Sequence, residues 1–353
     1  KEEDFVEKFY VTSTHAYLLF FSDQGQVYWL KVYHLPEGSR QAKGKHIANL
    51  LQLKEGENIN AVIPVRDFKE GYLFFATKMG TVKKTELLNF SKPRKGGIRA
   101  ISLDEDDSLV GVKYTDGNQE IILATKKGLA NRFREKDVRS MGRTARGVRG
   151  VRLREKDIVI GMLAAEEDKE ILTLTEKGYG KRTPVSDYRL CNRGGKGVTN
   201  IKITDKNGEA KTVMLVDGTE ELMVMSKNGI AIRTKCSGIS VVGRATQGVR
   251  VMRLNEGDQL AAAAMIIIDD SENGDDVDNN IEDNPNPEAS DDVSDNDSEE
   301  DKIQDNTDSN DDADNDNSDV EDDGAEEDDA ENNDGDIDDN DTENINEDEN
   351  PEQ

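Results

Sequence analysis

Residues 120–135 read EIILATKKGLANRFRE, and the parse of this stretch decides the fold. A short apolar run ends in the polar turn Thr125-Lys126-Lys127-Gly128. A second run, Leu129 to Arg134, then alternates and carries cations. Two short runs bounded by polar, glycine-bearing turns favour strands over a helix. Glycine accepts the positive φ that a tight hairpin turn demands.

The same design recurs along the chain. YLLFFSDQGQVYWLKV starts at Tyr17, YLFFATKMGTVKKTEL at Tyr72, EILTLTEKGYGKRTPV at Glu170 and ELMVMSKNGIAIRTKC at Glu221. The turn glycines are Gly25, Gly80, Gly128, Gly178 and Gly229, a period of about fifty residues. A second glycine follows nineteen residues later, or seventeen in the second repeat: Gly44, Gly97, Gly147, Gly197 and Gly248. Next come a short run such as Val148–Leu153, an acidic turn such as REKD or NEGD, and another apolar run such as IVIGMLAA. Each repeat thus reads as four short strands, and such an array is propeller-like and all-β. The opening KEEDFVEKFYVT matches the last quarter of a repeat, as in DEDDSLVGVKYT from Asp104. Five full repeats plus this remnant predict six blades in a longer parent protein, with the first incomplete here.

Charge divides the 353 residues in two. Residues 269–353 hold 41 of the 75 acidic residues and only Lys302 of the 46 basic ones, so residues 1–268 keep 34 acidic and 45 basic. The body is therefore +11 and the tail −40, against a formal total of −29. The tail, rich in Asp, Glu, Asn and Ser, lacks the apolar surface to offset chain entropy and is expected to be disordered. The body, 1–268, is long enough for one large domain. Cys191 and Cys236 form no CxxC pattern, no signal peptide opens the chain, and LAAAAMIII from Leu260 is too short for a bilayer. A reduced, cytoplasmic chain with no membrane partner is expected.

The positive charge of the body is concentrated in two series. The first lies in loops around the second glycine: Arg40, Lys43 and Lys45; Lys92, Arg94, Lys95 and Arg99; Arg139, Arg143, Arg146, Arg149 and Arg152; Arg189, Arg193 and Lys196; Arg244, Arg250 and Arg253. The second follows the turn glycines: Lys83 and Lys84, Arg132 and Arg134, Lys181 and Arg182, and Arg233. Ring symmetry predicts a basic belt. Within it Arg193, Gly194, Gly195, Lys196 and Gly197 form the densest cluster of glycine and charge. Glycine lets a backbone approach a phosphate, and Arg and Lys supply the charge. No recognition helix or Asn/Gln pair for base reading is evident, so duplex DNA would be bound through its backbone and bent around the rim. Any single cation is as well explained as a solvated surface charge, and any single glycine as a tight turn. Recurrence at fixed repeat positions favours the interface.

These residues resemble the C-terminal domain of the bacterial DNA gyrase A subunit. The resemblance rests on KEEDFVEKF, FSDQGQVYWLKVYHLPEGSR, GTVKKT, VRSMGRTARGVRGVRL, GYGKRT and ISVVGRATQGV, and covers essentially all of 1–268. It implies a six-bladed β-pinwheel whose blades exchange strands, with duplex DNA wrapped on the rim in a positive sense. Wrapping would present a DNA segment for ATP-dependent strand passage and negative supercoiling. The partners implied are the other domains of the gyrase A chain together with the gyrase B chain, in an A2B2 assembly in the nucleoid. The family's box, QRRGGKG, would precede residue 1. Residues 191–197, CNRGGKG, match its last five positions from Arg193 to Gly197. The catalytic tyrosine, metal and ATP sites of the family lie on other domains, so no residue here inherits them and no cofactor is expected in this chain. The acidic tail would compete with DNA for the rim as an internal polyanion, or serve only as a solubilising extension.

Two other readings compete: the equivalent domain of topoisomerase IV, and a protein-interaction propeller whose acidic tail binds basic proteins. Other signals fail. GSRQAKGK from Gly38 has one residue too many for a phosphate-binding loop, and DVEDDGAEEDDA from Asp319 has Ala330 where a calcium loop needs Glu. His15, His34 and His46 have no metal spacing, and Trp29 is read as structural.

Overall fold

The computed structural model describes residues 10–38 and 44–266. The first repeat gives β1 (Tyr17–Ser22), β2 (Gln26–Lys31) and β3 (Ile59–Val65). The second gives β4 (Tyr72–Thr77), β5 (Thr81–Glu86), β6 (Ile98–Arg99) and β7 (Leu109–Thr115). The third gives β8 (Glu120–Thr125), β9 (Leu129–Arg134), β10 (Val148–Arg149) and β11 (Val159–Ala164). The fourth gives β12 (Glu170–Thr175), β13 (Tyr179–Pro184), β14 (Val198–Thr199) and β15 (Ala210–Val216). The fifth gives β16 (Glu221–Ser226), β17 (Ala231–Lys235), β18 (Val249–Arg250) and β19 (Leu260–Ile266).

Each repeat supplies four short strands or nearly so, but they do not stay in one sheet. The two-residue strand leaves its own repeat and completes the sheet before it: β6 pairs with β2, β10 with β5, β14 with β9 and β18 with β13. Four four-stranded sheets result, and the fifth, β17–β16–β19, has three strands. Among the described residues there are thus five blades, which corrects the expected six. Of the N-terminal remnant, residues 1–9 lie outside the described residues, and Tyr10–Thr12 form no strand. The expected tail and its boundary at 268 also lie outside them.

The hairpins form for local reasons. Gly128 sits at φ +80° and its amide donates to the Thr125 carbonyl oxygen, 3.0 Å away. The Thr125 hydroxyl oxygen accepts the Leu129 amide at 3.2 Å, and Ser22, Thr77 and Ser226 accept in the same place in their repeats. The last residue of the acidic turn then pins the hairpin tip. Asp157 Oδ1 accepts the amide of Lys127 at 2.9 Å, as Asp107 does for Met79 and Asp258 for Asn228.

Apolar side chains occupy both faces of the middle strands, because each inner sheet is sandwiched between two others. Along β4, Leu73 and Phe75 pack with Leu19, Phe21 and Ile101 toward the first sheet. Phe74 and Ala76 pack with Ile121, Leu123 and Phe133 toward the third. The two-residue period of a strand places alternate residues in successive cores. Innermost strands follow one another in the order β3, β7, β11, β15, β19. Residues of the first four, including Val62, Val112, Lys113, Met162 and Val213, line a cavity of about 900 Å³.

Candidate nucleic-acid interface

In repeats two to five the basic loop leaves a single 3-10 turn and crosses to the preceding blade, where its glycine docks. Gly97 has φ +70°, and a Cβ there would lie 2.6 Å from the Tyr28 ring. A Cβ on Gly147, Gly197 or Gly248 would strike the carbonyl of Val82, Ala130 or Gly180. These glycines therefore serve the strand hand-over between blades. In the 191–197 segment the Gly194 amide donates to the Gly150 carbonyl at 2.9 Å, and the Gly195 amide to that of Asn192 at 3.1 Å. The amides of Gly194 and Gly195 are thus engaged within the fold, and Gly197 is pressed against β9.

Cations of the first series separate into two kinds. Lys45, Arg94, Lys95, Arg99, Arg146, Arg149, Lys196 and Arg250 are exposed. Arg143, Arg193 and Arg244 are half-buried and lace the loops together. Arg143 Nη1 donates to the Arg99 carbonyl at 3.1 Å, Arg193 Nη1 to that of Arg149 at 2.7 Å, and Arg244 Nη1 to that of Thr199 at 3.2 Å. Arg193 Nε also donates to the Asp137 carbonyl at 3.0 Å. Arg146 pairs with Asp104 at the surface. Arg40 and Lys43 lie outside the described residues. The outcome is a row of loops in repeats two to five, the last three each locked to the one before, and all lifting cations into solvent.

The second series is not a surface belt, and here the sequence expectation is corrected. Lys83 and Lys181 are 0% exposed, and Lys84, Arg132 and Arg182 are also buried. Neighbours such as Lys83 and Lys84 point to opposite faces of their strand, but both faces are covered, and the side chains end on backbone carbonyls, mostly of the next repeat. Lys84 Nζ donates to the Glu135 carbonyl at 3.4 Å; Arg132 Nη1 donates to the carbonyls of Val185 and Tyr188 at 3.1 Å; Arg182 Nε donates to that of Ile239 at 2.8 Å. Trp29, on the corresponding strand of the first repeat, donates its indole N–H to the Phe90 carbonyl at 2.9 Å. Arg132 also pairs with Glu120 and Glu167, and Arg182 with Glu170 at 2.7 Å. Burial works against the Arg132 charge, but the hydrogen bonds it donates to Glu167 and Glu120 more than offset it and hold its pKa above the ordinary value. Arg233, by contrast, is exposed, and it pairs with Glu221.

One basic cavity was not foreseen from the sequence. About 500 Å³ in volume, it is lined by Lys177, Tyr179, Lys206, Arg250 and Arg253 among others. Arg250 Nη2 donates to the Tyr179 hydroxyl at 3.0 Å, and its guanidinium lies 5.5 Å from the ring centroid. Lys206 Nζ lies 5.7 Å from the same ring. Lys206 and Lys177 stand outside the two periodic series, so the repeat pattern carries no signal for them.

The repeat boundaries in the structure coincide with those of a described family. The sequence matches "DNA gyrase C-terminal domain, beta-propeller" in five consecutive segments, 16–66, 71–116, 119–166, 169–217 and 220–266. The chain belongs to the DNA gyrase C-terminal domain family. It is 54% identical over 272 residues to the DNA gyrase A protein of Halalkalibacterium halodurans, covering 77% of this chain and 33% of that protein. It is 43% identical over 275 residues to the DNA gyrase A protein of Salmonella typhimurium, covering 77% and 31%. The chain thus spans about a third of the length of the curated relatives it matches. A solved DNA gyrase A C-terminal domain superposes with TM-score 0.62 at 27% identity, covering 74% of this chain and 90% of that one. The crystal structure of the C-terminal domain of DNA topoisomerase IV superposes with TM-score 0.68 at 28% identity, covering 72% and 80%.

Among the described residues no group of His, Cys, Asp and Glu could hold a metal ion, and no helix is long and apolar enough to cross a membrane. Cys191 and Cys236 are free thiols.

Proposed function

We propose that the chain is the DNA-wrapping domain of a gyrase A protein, binding duplex DNA through phosphates along the row of basic loops. One observation carries the reading. Exposed cations recur on loops that Arg143, Arg193 and Arg244 tie together in series, so their spacing is fixed by the fold. Fixed, repeated charges with no base-reading element suit backbone binding and bending. The ATP-dependent strand passage falls to the remaining domains of gyrase A and to gyrase B. The setting would be the cytoplasmic nucleoid. The acidic segment 269–353 would compete with DNA for the same loops.

The test is duplex affinity against salt, using the whole chain. Counterion release predicts a log–log slope of about −0.9 per phosphate neutralised. A steep slope, and a linking-number change when nicked circles are ligated on the protein, are the expected results. A flat slope would sink the proposal and favour a protein-interaction propeller. The 43% and 54% identities to gyrase A proteins favour gyrase over topoisomerase IV.

A further inference from the structure

Lys83 and Lys181 occupy the third position after the turn glycines Gly80 and Gly178, at the same place in alternate repeats. Lys83 Nζ donates to the carbonyls of Ala100 and Arg143, the latter at 2.6 Å, with that of Gly142 at 3.5 Å. Lys181 Nζ donates to the carbonyls of Gly243 and Arg244, both at 2.8 Å. Each ammonium therefore grips the start of the basic loop of the following repeat, at the residue whose guanidinium ties that loop to its predecessor. In the intervening repeat the position belongs to Asn131. Its Nδ2 donates to the carbonyl of Asn192, the counterpart of Gly142 and Gly243, at 3.3 Å, and to that of Gly150 at 3.0 Å.

We infer that Lys83 and Lys181 are positioning residues for DNA binding, holding the loops at Arg143 and Arg244 in place only while their ammonium groups are charged. The inference rests on the proposed DNA reading. Around Lys83 stand the Phe75 ring at 4.8 Å, three carbonyls and the like-charged Arg143. Around Lys181 stand two carbonyls, the like-charged Arg244 and the carboxylate of Asp187. Burial, reinforced by the neighbouring arginine, pulls Lys83 down to about 7 and Lys181 to about 8. Both amines thus give up protons at mildly alkaline pH, which weakens their hydrogen bonds to the carbonyls.

The sign of the accompanying stability change runs the other way. A folded-state lysine pKa below the unfolded value means that the unfolded chain binds more protons between about 7 and 10.5. Stability therefore rises with pH across that window, while the hold on the loops weakens. A lysine serving only to stabilise the fold would not lower DNA affinity as stability rises.

Two double variants of the whole chain test this. Lys83→Asn with Lys181→Asn copies the neutral donor already used at Asn131. It should bind duplex within about threefold of the parent at pH 7 and lose the parent's fall in affinity between pH 7 and 9. Lys83→Met with Lys181→Met keeps the buried stems without a donor. It should fold, yet bind about tenfold more weakly, the scale of one lost charge-assisted hydrogen bond. Hydrogen exchange supplies a readout independent of DNA: amides of 142–147 and 243–248 should exchange faster in the Met variant and keep their protection in the Asn variant. Unchanged protection in the Met variant, or identical pH profiles for parent and Asn variant, would overturn the inference. A parent chain that fails to bind duplex at low salt, with loop protection behaving as expected, would instead overturn the DNA reading and leave the loop hold standing.

Discussion

Arg193 Nη1 donates to the carbonyl oxygen of Arg149 across 2.7 Å, joining two basic loops one blade apart in the array. Replacing Arg193 with Ala should release loop 189–199 from loop 139–149. We expect a shallower salt slope for duplex binding and a stability loss of about 1 kcal/mol, since the side chain is only half-buried. Lys at this position should not restore binding, because an ammonium cannot reach the Arg149 and Asp137 carbonyls with a fixed fork. Titration of duplex against salt, with denaturant unfolding alongside, checks both.

Glycines of neighbouring loops should answer differently to alanine. Gly197 has φ +74°, and its Cβ would run into the Ala130 carbonyl, so Gly197→Ala should cost about 1–3 kcal/mol. Gly142 faces open space, and Gly142→Ala should stay within about 0.5 kcal/mol of the parent. Urea midpoints decide the matter, and equal losses would mean that docking against β9 does not constrain Gly197.

Phe75→Ala should cost about 3–5 kcal/mol, because the ring is fully buried between the first two sheets against Phe21 and Phe90. Met265→Ala, on an exposed side chain of β19, should change stability by less than about 0.5 kcal/mol. Thermal or urea unfolding of the two variants side by side gives the comparison.

The two thiols offer a footprint. Cys236 is buried, and desolvation pushes its thiol up to about 11, so alkylation near pH 8 should leave it untouched. Cys191, half-exposed in a basic loop, should react, and saturating duplex should slow that reaction severalfold. Labelling followed by mass spectrometry would show it; a Cys191 rate indifferent to DNA would place the duplex elsewhere on the surface.

Much of the fold was legible because its causes are local. The apolar run, the polar turn and the glycine within it are read in sequence and appear as hairpins, while the Ser or Thr hydroxyl that caps the turn shows itself only in the structure. Handing β10 to β5 left no mark of that kind, since it depends on where Gly147 docks on a neighbouring repeat. The site was legible in its loops but not in its second series. Lys83 and Lys196 look alike as bare charges along the chain. Only the fold, which covers both faces of the strand that bears Lys83 and leaves the loop that bears Lys196 in water, tells them apart. Asp107, Asp157 and Asp258 were seen merely as part of an acidic turn, although each carboxylate pins a hairpin tip.

The lending of a short strand by each repeat to its predecessor has a mechanical consequence. The blades overlap like shingles, so a pull applied at one is carried into the next through hydrogen bonds loaded in shear as well as through the chain itself. None of repeats two to five can be cut out cleanly, because its departure strips the outer strand from the neighbour it had completed. A stiff polymer bent against such a surface would press on a continuous roof, with its recoil shared along the row.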